Sequence, residues 1–158
     1  MIHPTPVQII RPALLDEAEM LHALTGRSTL SWGYEPEFLD WEPQSIAVTR
    51  EFLEGAVAYV LEEDGRVIGY YAPTGQVPDL YFDKLFLEPD VIGTGRGKLL
   101  WNHALATARS LGVSEMTMYA DPNAAPFYRA MGAEWLGEET TSRPGWNLQR
   151  FRVVVPVE

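Results

Sequence analysis

Residues 7–10 form a short apolar run ended by Arg11-Pro12, after which Ala13, Leu14, Ala18, Leu21 and Leu24 recur at helical spacing until Thr25-Gly26. The pattern predicts a strand, then a helix that stops at Gly26. Residues 26–46 lose this period and gather aromatic side chains, Trp32, Tyr34, Phe38 and Trp41, which predicts a loop running into a short helix with Pro36 near its first turn. Residues 56–62 and 66–71 are rich in Val, Ile and Tyr and are separated by Glu63-Asp64-Gly65, a hairpin pattern in which Gly65 supplies the positive φ of the turn. Residues 80–87 give a third strand, ended by Glu88-Pro89-Asp90 because proline cannot donate to a ladder.

From Gly97 the period becomes helical: Leu100, Ala104, Ala108 and Leu111 form one stripe, closed by Gly112. Residues 113–120 alternate, with Met116 and Met118 on one face and Glu115 and Thr117 on the other, so they read as a strand. Asp121-Pro122-Asn123 breaks it, and residues 124–131 read as a short helix capped by Gly132. Residues 133–136 and 149–155 complete the strands, with a polar loop over 138–147. Helices mixed with consecutive hairpin-like strands favour an α+β fold over a regular βαβ winding.

The chain has 158 residues, 46% of them hydrophobic and 22% charged, which suits one domain over 1–158 with its own core. A formal charge of −10 argues against nucleic acid as a partner, since polyanion binding needs clustered cations. The absence of cysteine removes disulfides, thiolate metal sites and a thiol nucleophile. His3, His22 and His103 have no metal-ligating spacing, so no metal is expected, and there is no G-x-S-x-G nucleophile elbow. No stretch approaches the length of a membrane span, and residues 1–6 carry neither a cationic leader nor an apolar signal core. A cytoplasmic protein with no membrane partner is the expectation.

The segment Glu88-Pro89-Asp90-Val91-Ile92-Gly93-Thr94-Gly95-Arg96-Gly97-Lys98 sets three alternating glycines between a strand end and a helix start. Successive amides there can point at one anion, the helix N-terminus adds partial positive charge, and glycine lets a phosphate approach the backbone. The spacing fits neither a Rossmann fingerprint nor a Walker A loop. Taken alone, the loop reads equally as a turn that holds no ligand.

A second motif, Ala124-Ala125-Pro126-Phe127-Tyr128-Arg129-Ala130-Met131-Gly132, follows one strand later. The two together resemble the GNAT superfamily of N-acetyltransferases, with its R/Q-x-x-G-x-G/A loop and its later A-x-x-F-Y-x-x-x-G. The order of elements along most of the chain is similar to that fold, and Trp32-Gly33-Tyr34 resembles a bacterial subgroup. One departure is Ile92, which stands where the family usually has Gln or Arg.

The resemblance implies an α+β fold with a mixed, mostly antiparallel central sheet flanked by helices and two strands splayed at the coenzyme site. It implies acetyl-CoA as acyl donor, without a metal. The pantetheine arm would run along Leu85, Phe86 and Leu87, and the pyrophosphate would lie at Ile92, Gly93, Thr94, Gly95, Arg96, Gly97 and Lys98, chiefly on backbone amides. The side chains of Arg96 and Lys98 are read as facing the 3′-phosphate or as solvated. Asn123 and Phe127 fall on the coenzyme side, with helix capping as the other reading of Asn123 and core packing that of Phe127. Tyr128 becomes the proton donor to the leaving thiolate, or else a core aromatic.

The base is read from the residues themselves. Asp83 is a carboxylate inside an otherwise apolar strand, so it either activates the acceptor or is an edge charge; Glu35 and a water chain are the other readings. Trp32, Tyr34, Glu35 and Tyr71 would line the acceptor pocket, with residues 142–146 near it if the late loop folds back. An aromatic pocket in an acidic chain suits a cationic amine, on a small molecule or a peptide, although the charge also serves solubility. The reaction expected is direct amine attack. A non-catalytic acyl-CoA-binding or sensing module is the alternative, and a homodimer is compatible with either.

Overall fold

The computed structural model describes residues 5–41 and 46–157. Residues 1–4 and residues 42–45 of the aromatic-rich stretch lie outside the described residues, as does the side chain of Trp41. The strands are β1 (Gln8–Pro12), β2 (Tyr59–Glu63), β3 (Arg66–Gln76), β4 (Asp79–Leu87), β5 (Glu115–Ala120), β6 (Glu134–Glu139) and β7 (Leu148–Val154). The helices are α1 (Ala18–Leu30), α2 (Phe38–Trp41), α3 (Arg50–Glu54), α4 (Arg96–Ser110) and α5 (Ala125–Ala130), with 3₁₀ turns at Leu15–Glu17 and Pro89–Val91. The strands form a seven-stranded sheet in the order β1-β2-β3-β4-β5-β7-β6. Antiparallel pairing joins β1 to β2, β2 to β3, β5 to β7 and β6 to β7, while β4 and β5 run parallel, so the fold is α+β as the pattern predicts.

The chain divides into two compact units. The first comprises the chain up to Ala72 together with Lys84–Leu100. Its core packs Leu21 and Leu24 of α1, Leu53 of α3, Val48, and Val60, Tyr70 and Ala72 of the strands, with Phe52 and Phe86 against them. Removing these side chains from water is the main term holding this unit together. The β2–β3 turn takes Asp64 at φ 50° and Gly65 at φ 85°, two consecutive left-handed residues that match the twist of a tight hairpin. β1 continues through Pro12 rather than ending before it, because β1 is at the edge of the sheet and the missing N–H breaks no ladder.

The expected stop of α1 at Gly26 is overturned. The helix runs on to Leu30 with Gly26 buried in its interior, without the left-handed φ of a C-terminal cap, and a Cβ there would make ordinary contact with Leu39 at 3.5 Å. Thr25 is absorbed as well: its hydroxyl reaches the Leu21 carbonyl at 2.7 Å and shares a 2.5 Å hydrogen bond with the Tyr70 phenol. α3 had no counterpart in the sequence pattern; at five residues it is too short for a stripe, and Thr49 starts it by accepting from the Phe52 amide at 3.0 Å.

The second unit comprises Pro73–Asp83 and Trp101–Glu158. Met116, Met118 and Ala120 of β5 are buried, as are Phe151 and Val153 of β7, and alternate residues of both strands face solvent. Phe82, Trp101, Tyr128 and Phe151 form a chain of aromatic contacts with ring centroids 5.3 to 6.0 Å apart. β6 is longer than its apolar residues suggest and bulges between Trp135 and Gly137. Among the described residues no helix is long and apolar enough to cross a membrane.

Candidate functional site

The glycine loop lies wholly within the first unit. β4 ends at Leu87, and the Glu88 amide donates to the Ile68 carbonyl at 2.8 Å, which fixes where the strand lets go. Pro89–Val91 makes a 3₁₀ turn with Val91 buried, Ile92 is extended, and Gly93 and Gly95 take φ of 80° and 87°. A side chain at either glycine would be strained in this region, which is why the sequence needs glycine twice. The Thr94 hydroxyl donates to the Val91 carbonyl and closes the turn.

The Leu99 amide is bonded to the Gly95 carbonyl at 3.1 Å. The amides of Arg96, Gly97 and Lys98 precede it in the first turn, where helical geometry supplies no acceptor one turn back. With the dipole of a 15-residue helix behind them, these donors fit a phosphate.

Around this loop, Leu85 and Phe86 are half-buried, Leu87 is buried, and the Phe86 ring stacks on Tyr70 at 6.1 Å. Ile92, Gly93, Thr94, Gly95 and Lys98 are exposed. The Arg96 guanidinium is neither free nor merely solvated: it makes a two-bond ion pair with Glu63 at 2.7 and 2.9 Å. The hydrogen bond between them raises the Arg96 pKa and holds the Glu63 carboxyl below its usual range.

The expected acceptor residues are also in this unit. Trp32 and Glu35 are exposed, and Tyr34 stacks on Phe38 at 4.2 Å with the rings 7° from parallel. Tyr71 is fully buried and stacks on Tyr59 at 5.6 Å, so its ring presents no surface to solvent. Sequence reasoning passed over Lys84, a buried lysine whose Nζ lies 4.8 Å from the centre of the Phe52 ring. Its position between Asp83 and Leu85, on the face of β4 that also carries Phe82 and Phe86, was the available signal.

The second unit holds Asp83, Asn123, Phe127 and Tyr128. Tyr128 is buried on α5 against Trp101, Phe127 and Phe151, with ring centroids at 5.6, 5.1 and 6.0 Å. Among the described residues its hydroxyl has no hydrogen-bond partner. Burial, reinforced by the neighbouring Tyr81, pushes its pKa well above the ordinary phenol value. The indole N–H of Trp101, beneath it, is likewise buried without a partner among the described residues.

Asn123 does not cap α5. The N-cap position is Ala124, with no side-chain hydrogen bond, and the Asn123 amide instead donates to Asp121 Oδ1 at 2.8 Å, so Asp121 closes this turn. Asp83 is half-buried and its Oδ2 accepts from the Thr74 hydroxyl at 3.2 Å, so it is not a bare edge charge. Two residues before it, Tyr81 sits opposite Thr117 where β4 meets β5, and its phenol accepts from the Tyr119 amide at 3.3 Å. Burial pushes the Tyr81 pKa up to about 12, and the Asp83 charge adds to the rise. Trp146 of the late loop is buried, with its carbonyl bonded to the Thr141 hydroxyl at 2.7 Å.

A mixed sheet with a parallel β4–β5 pair and a glycine loop feeding a long helix is the arrangement that the two motifs imply for an acyltransferase. The family model described as "Acetyltransferase (GNAT) domain" matches residues 37–154, and the chain belongs to this family; it is an N-acetyltransferase. It is 29% identical over 154 residues to the peptidyl-lysine N-acetyltransferase YjaB of Salmonella typhimurium, covering 93% of this chain and 97% of that protein. It is 32% identical over 137 residues to YjaB of Escherichia coli, covering 81% and 83%. The solved structure of yncA from Salmonella typhimurium with its cofactor acetyl-CoA shares the fold at a TM-score of 0.68 and 18% identity, covering 95% of each chain.

Proposed function

We propose that the whole chain is one acyltransferase domain that moves the acetyl group of acetyl-CoA to a primary amine by direct attack, and that the amine is a lysine side chain on a peptide. The observation that carries the donor is the loop of residues 92–98, two left-handed glycines opening onto the unpaired amides of a 15-residue helix. The use of acetyl-CoA is supported by the solved relative that holds it, and the peptide acceptor by the names of the two YjaB relatives. An acetyl thioester supplies an activated carbonyl and a good leaving group. A free small-molecule amine is the competing acceptor.

In this reading the amides of the loop hold the pyrophosphate, Leu85, Phe86 and Leu87 offer strand backbone to the pantetheine arm, and Lys98 faces the solvent side of the nucleotide. The neutral amine attacks the carbonyl carbon, the N–C bond forms, and the C–S bond breaks with its electron pair leaving on sulfur. Tyr128, protonated at neutral pH as any phenol is, donates its hydroxyl proton to that sulfur as the bond breaks, and solvent returns a proton to the phenol. Asp83 takes the proton released from nitrogen, directly or through one water. Trp32, Tyr34 and Glu35 stand at the acceptor side, where Glu35 attracts a cationic chain.

The test is release of free CoA from acetyl-CoA, measured with lysine-containing peptides, the same peptides blocked at lysine, and free amines. Release with the unblocked peptides alone supports the reading. Release with free amines alone moves the acceptor to small molecules. Tight acetyl-CoA binding with no release for any amine makes the chain an acyl-CoA-binding module instead.

A further inference from the structure

The segment that carries the glycine loop is unusually well provided with ion pairs. Four of its side chains are charged at neutral pH, Glu88, Asp90, Arg96 and Lys98, and the first three each make two hydrogen bonds to an opposite charge on another element of the first unit. Arg27 of α1 holds Glu88 at 2.7 and 2.9 Å. Arg66, at the start of β3, holds Asp90 at 3.1 and 3.2 Å. Glu63, at the end of β2, holds Arg96 at 2.7 and 2.9 Å and also accepts from the Gln8 side chain at 2.7 Å.

These pairs answer a physical problem. A chain of formal charge −10 has to accept a donor that carries several phosphate charges, and two of its own carboxylates stand within a few residues of the loop meant to receive them. Asp90 precedes Gly93 by three residues, so their backbones are at most about 10 Å apart, near the screening length of physiological salt. Arg27 and Arg66 offset Glu88 and Asp90 charge for charge, and without them these two carboxylates would stand uncompensated beside a loop whose own cations are Lys98 and an Arg96 already paired with Glu63. The Asp90 carboxyl is held below its usual range by Arg66, so its charge persists and has to be offset rather than titrated away.

We infer that Arg27 and Arg66 are positioning residues for the anionic donor: by cancelling Glu88 and Asp90 they keep these carboxylates from repelling its phosphates, without touching a phosphate themselves. The inference rests on the reading that acetyl-CoA binds through this loop. It goes further in naming two residues, far from the motif in sequence, that set donor affinity.

Arg66 and Asp90 are the pair to test, because both side chains are more than half exposed and their loss leaves the fold intact, whereas Glu88 is largely buried. Arg66→Gln is expected to weaken acetyl-CoA binding in calorimetry on the order of three- to tenfold at low salt, with the loss fading as salt screens the charge. Arg66→Gln combined with Asp90→Asn is expected to return within about twofold of wild type, because the repelling carboxylate is gone as well. A phosphate-free acetyl-pantetheine donor is expected to react equally well with wild type and Arg66→Gln.

Wild-type affinity in Arg66→Gln at low salt overturns the inference. A double variant as weak as the single one also overturns it, since the pair would then be a mechanical tether of the loop. Gly95→Asp separates the two layers. If it leaves affinity unchanged, the loop is not the donor site and both readings fall; if it abolishes binding while Arg66→Gln does nothing, only the inference falls.

Discussion

The backbone amide of Tyr119 in β5 donates to the phenol oxygen of Tyr81 in β4 at 3.3 Å, two residues beyond the point where Tyr81 lies opposite Thr117 in the parallel pair. The Tyr119 N–H is therefore satisfied by a side chain of the neighbouring strand. The two rings are 6.1 Å apart and tilted by 47°. Tyr81→Phe keeps the ring and removes the acceptor. Because Tyr119 is partly exposed, water can replace the lost bond, and the expected cost is about 1 kcal/mol, seen as a melting temperature lower by about 2–4 °C. Acetyl-CoA affinity is expected to stay within about twofold, and thermal unfolding followed by circular dichroism, with and without the donor, checks both.

Gly95 stands at φ 87° in the proposed phosphate loop with open space where a Cβ would go. Gly95→Asp places a carboxylate against the donor phosphates and is expected to weaken acetyl-CoA binding by on the order of tenfold or more. Gly95→Asn, nearly the same size and able to take a left-handed φ, measures the part due to backbone strain and bulk alone. Calorimetry on both variants, with a circular dichroism spectrum to confirm folding, gives the charge effect as the difference between them.

The parts of this protein that were legible in the sequence are those where one local rule acts alone. The Met116 and Met118 alternation gave β5, the Leu100, Ala104, Ala108 stripe gave α4, and Asp64-Gly65 gave the hairpin turn. Local rules misled where a distant residue had the larger effect. Gly26 reads as a stop, but it is buried in the interior of a helix that runs on to Leu30. Arg96 reads as a phosphate ligand or a solvated charge, and its partner Glu63 is 33 positions away. The glycine loop was readable because its chemistry is backbone chemistry encoded by adjacent residues. The ion pairs that surround it join residues 24 to 61 positions apart, and no local pattern encodes those.

Tyr128 is buried, its pKa is raised, and no side chain among the described residues holds its proton. Tyr128→Phe is expected to leave acetyl-CoA affinity unchanged and to lower turnover by roughly 10² to 10⁴. Wild-type turnover in this variant, assayed with an accepted amine, would return Tyr128 to a packing role.

The same shift carries a stability expectation at alkaline pH. The neutral phenol is favoured in the folded state, so folded Tyr128 and Tyr81 titrate above the unfolded value near 10. Their contribution is fully present below about pH 10 and is lost as pH rises through the folded values. Denaturant titrations of wild type and Tyr128→Phe at pH 8 and pH 11 are expected to show a smaller loss of stability in the variant.

Asp83 accepts from Thr74 and shares its strand face with Tyr81, a setting that suits either a base or a simple negative charge beside the acceptor. The two roles separate kinetically. If Asp83 receives the amine proton, Asp83→Asn lowers kcat/KM most at neutral to mildly basic pH, where the acceptor is mainly protonated, and the defect shrinks as the free amine becomes abundant. If Asp83 only attracts a cationic acceptor, the variant raises KM with little change in kcat, and added salt weakens the penalty. Asn keeps an oxygen that can accept from Thr74, so the substitution removes charge and basicity while preserving the local hydrogen bond. The base is the expected role, because the Thr74 hydroxyl fixes the orientation of a carboxylate that is half-buried rather than free in solvent. Steady-state kinetics at two pH values and two ionic strengths decide between them, and wild-type behaviour in all four conditions would remove Asp83 from the reaction.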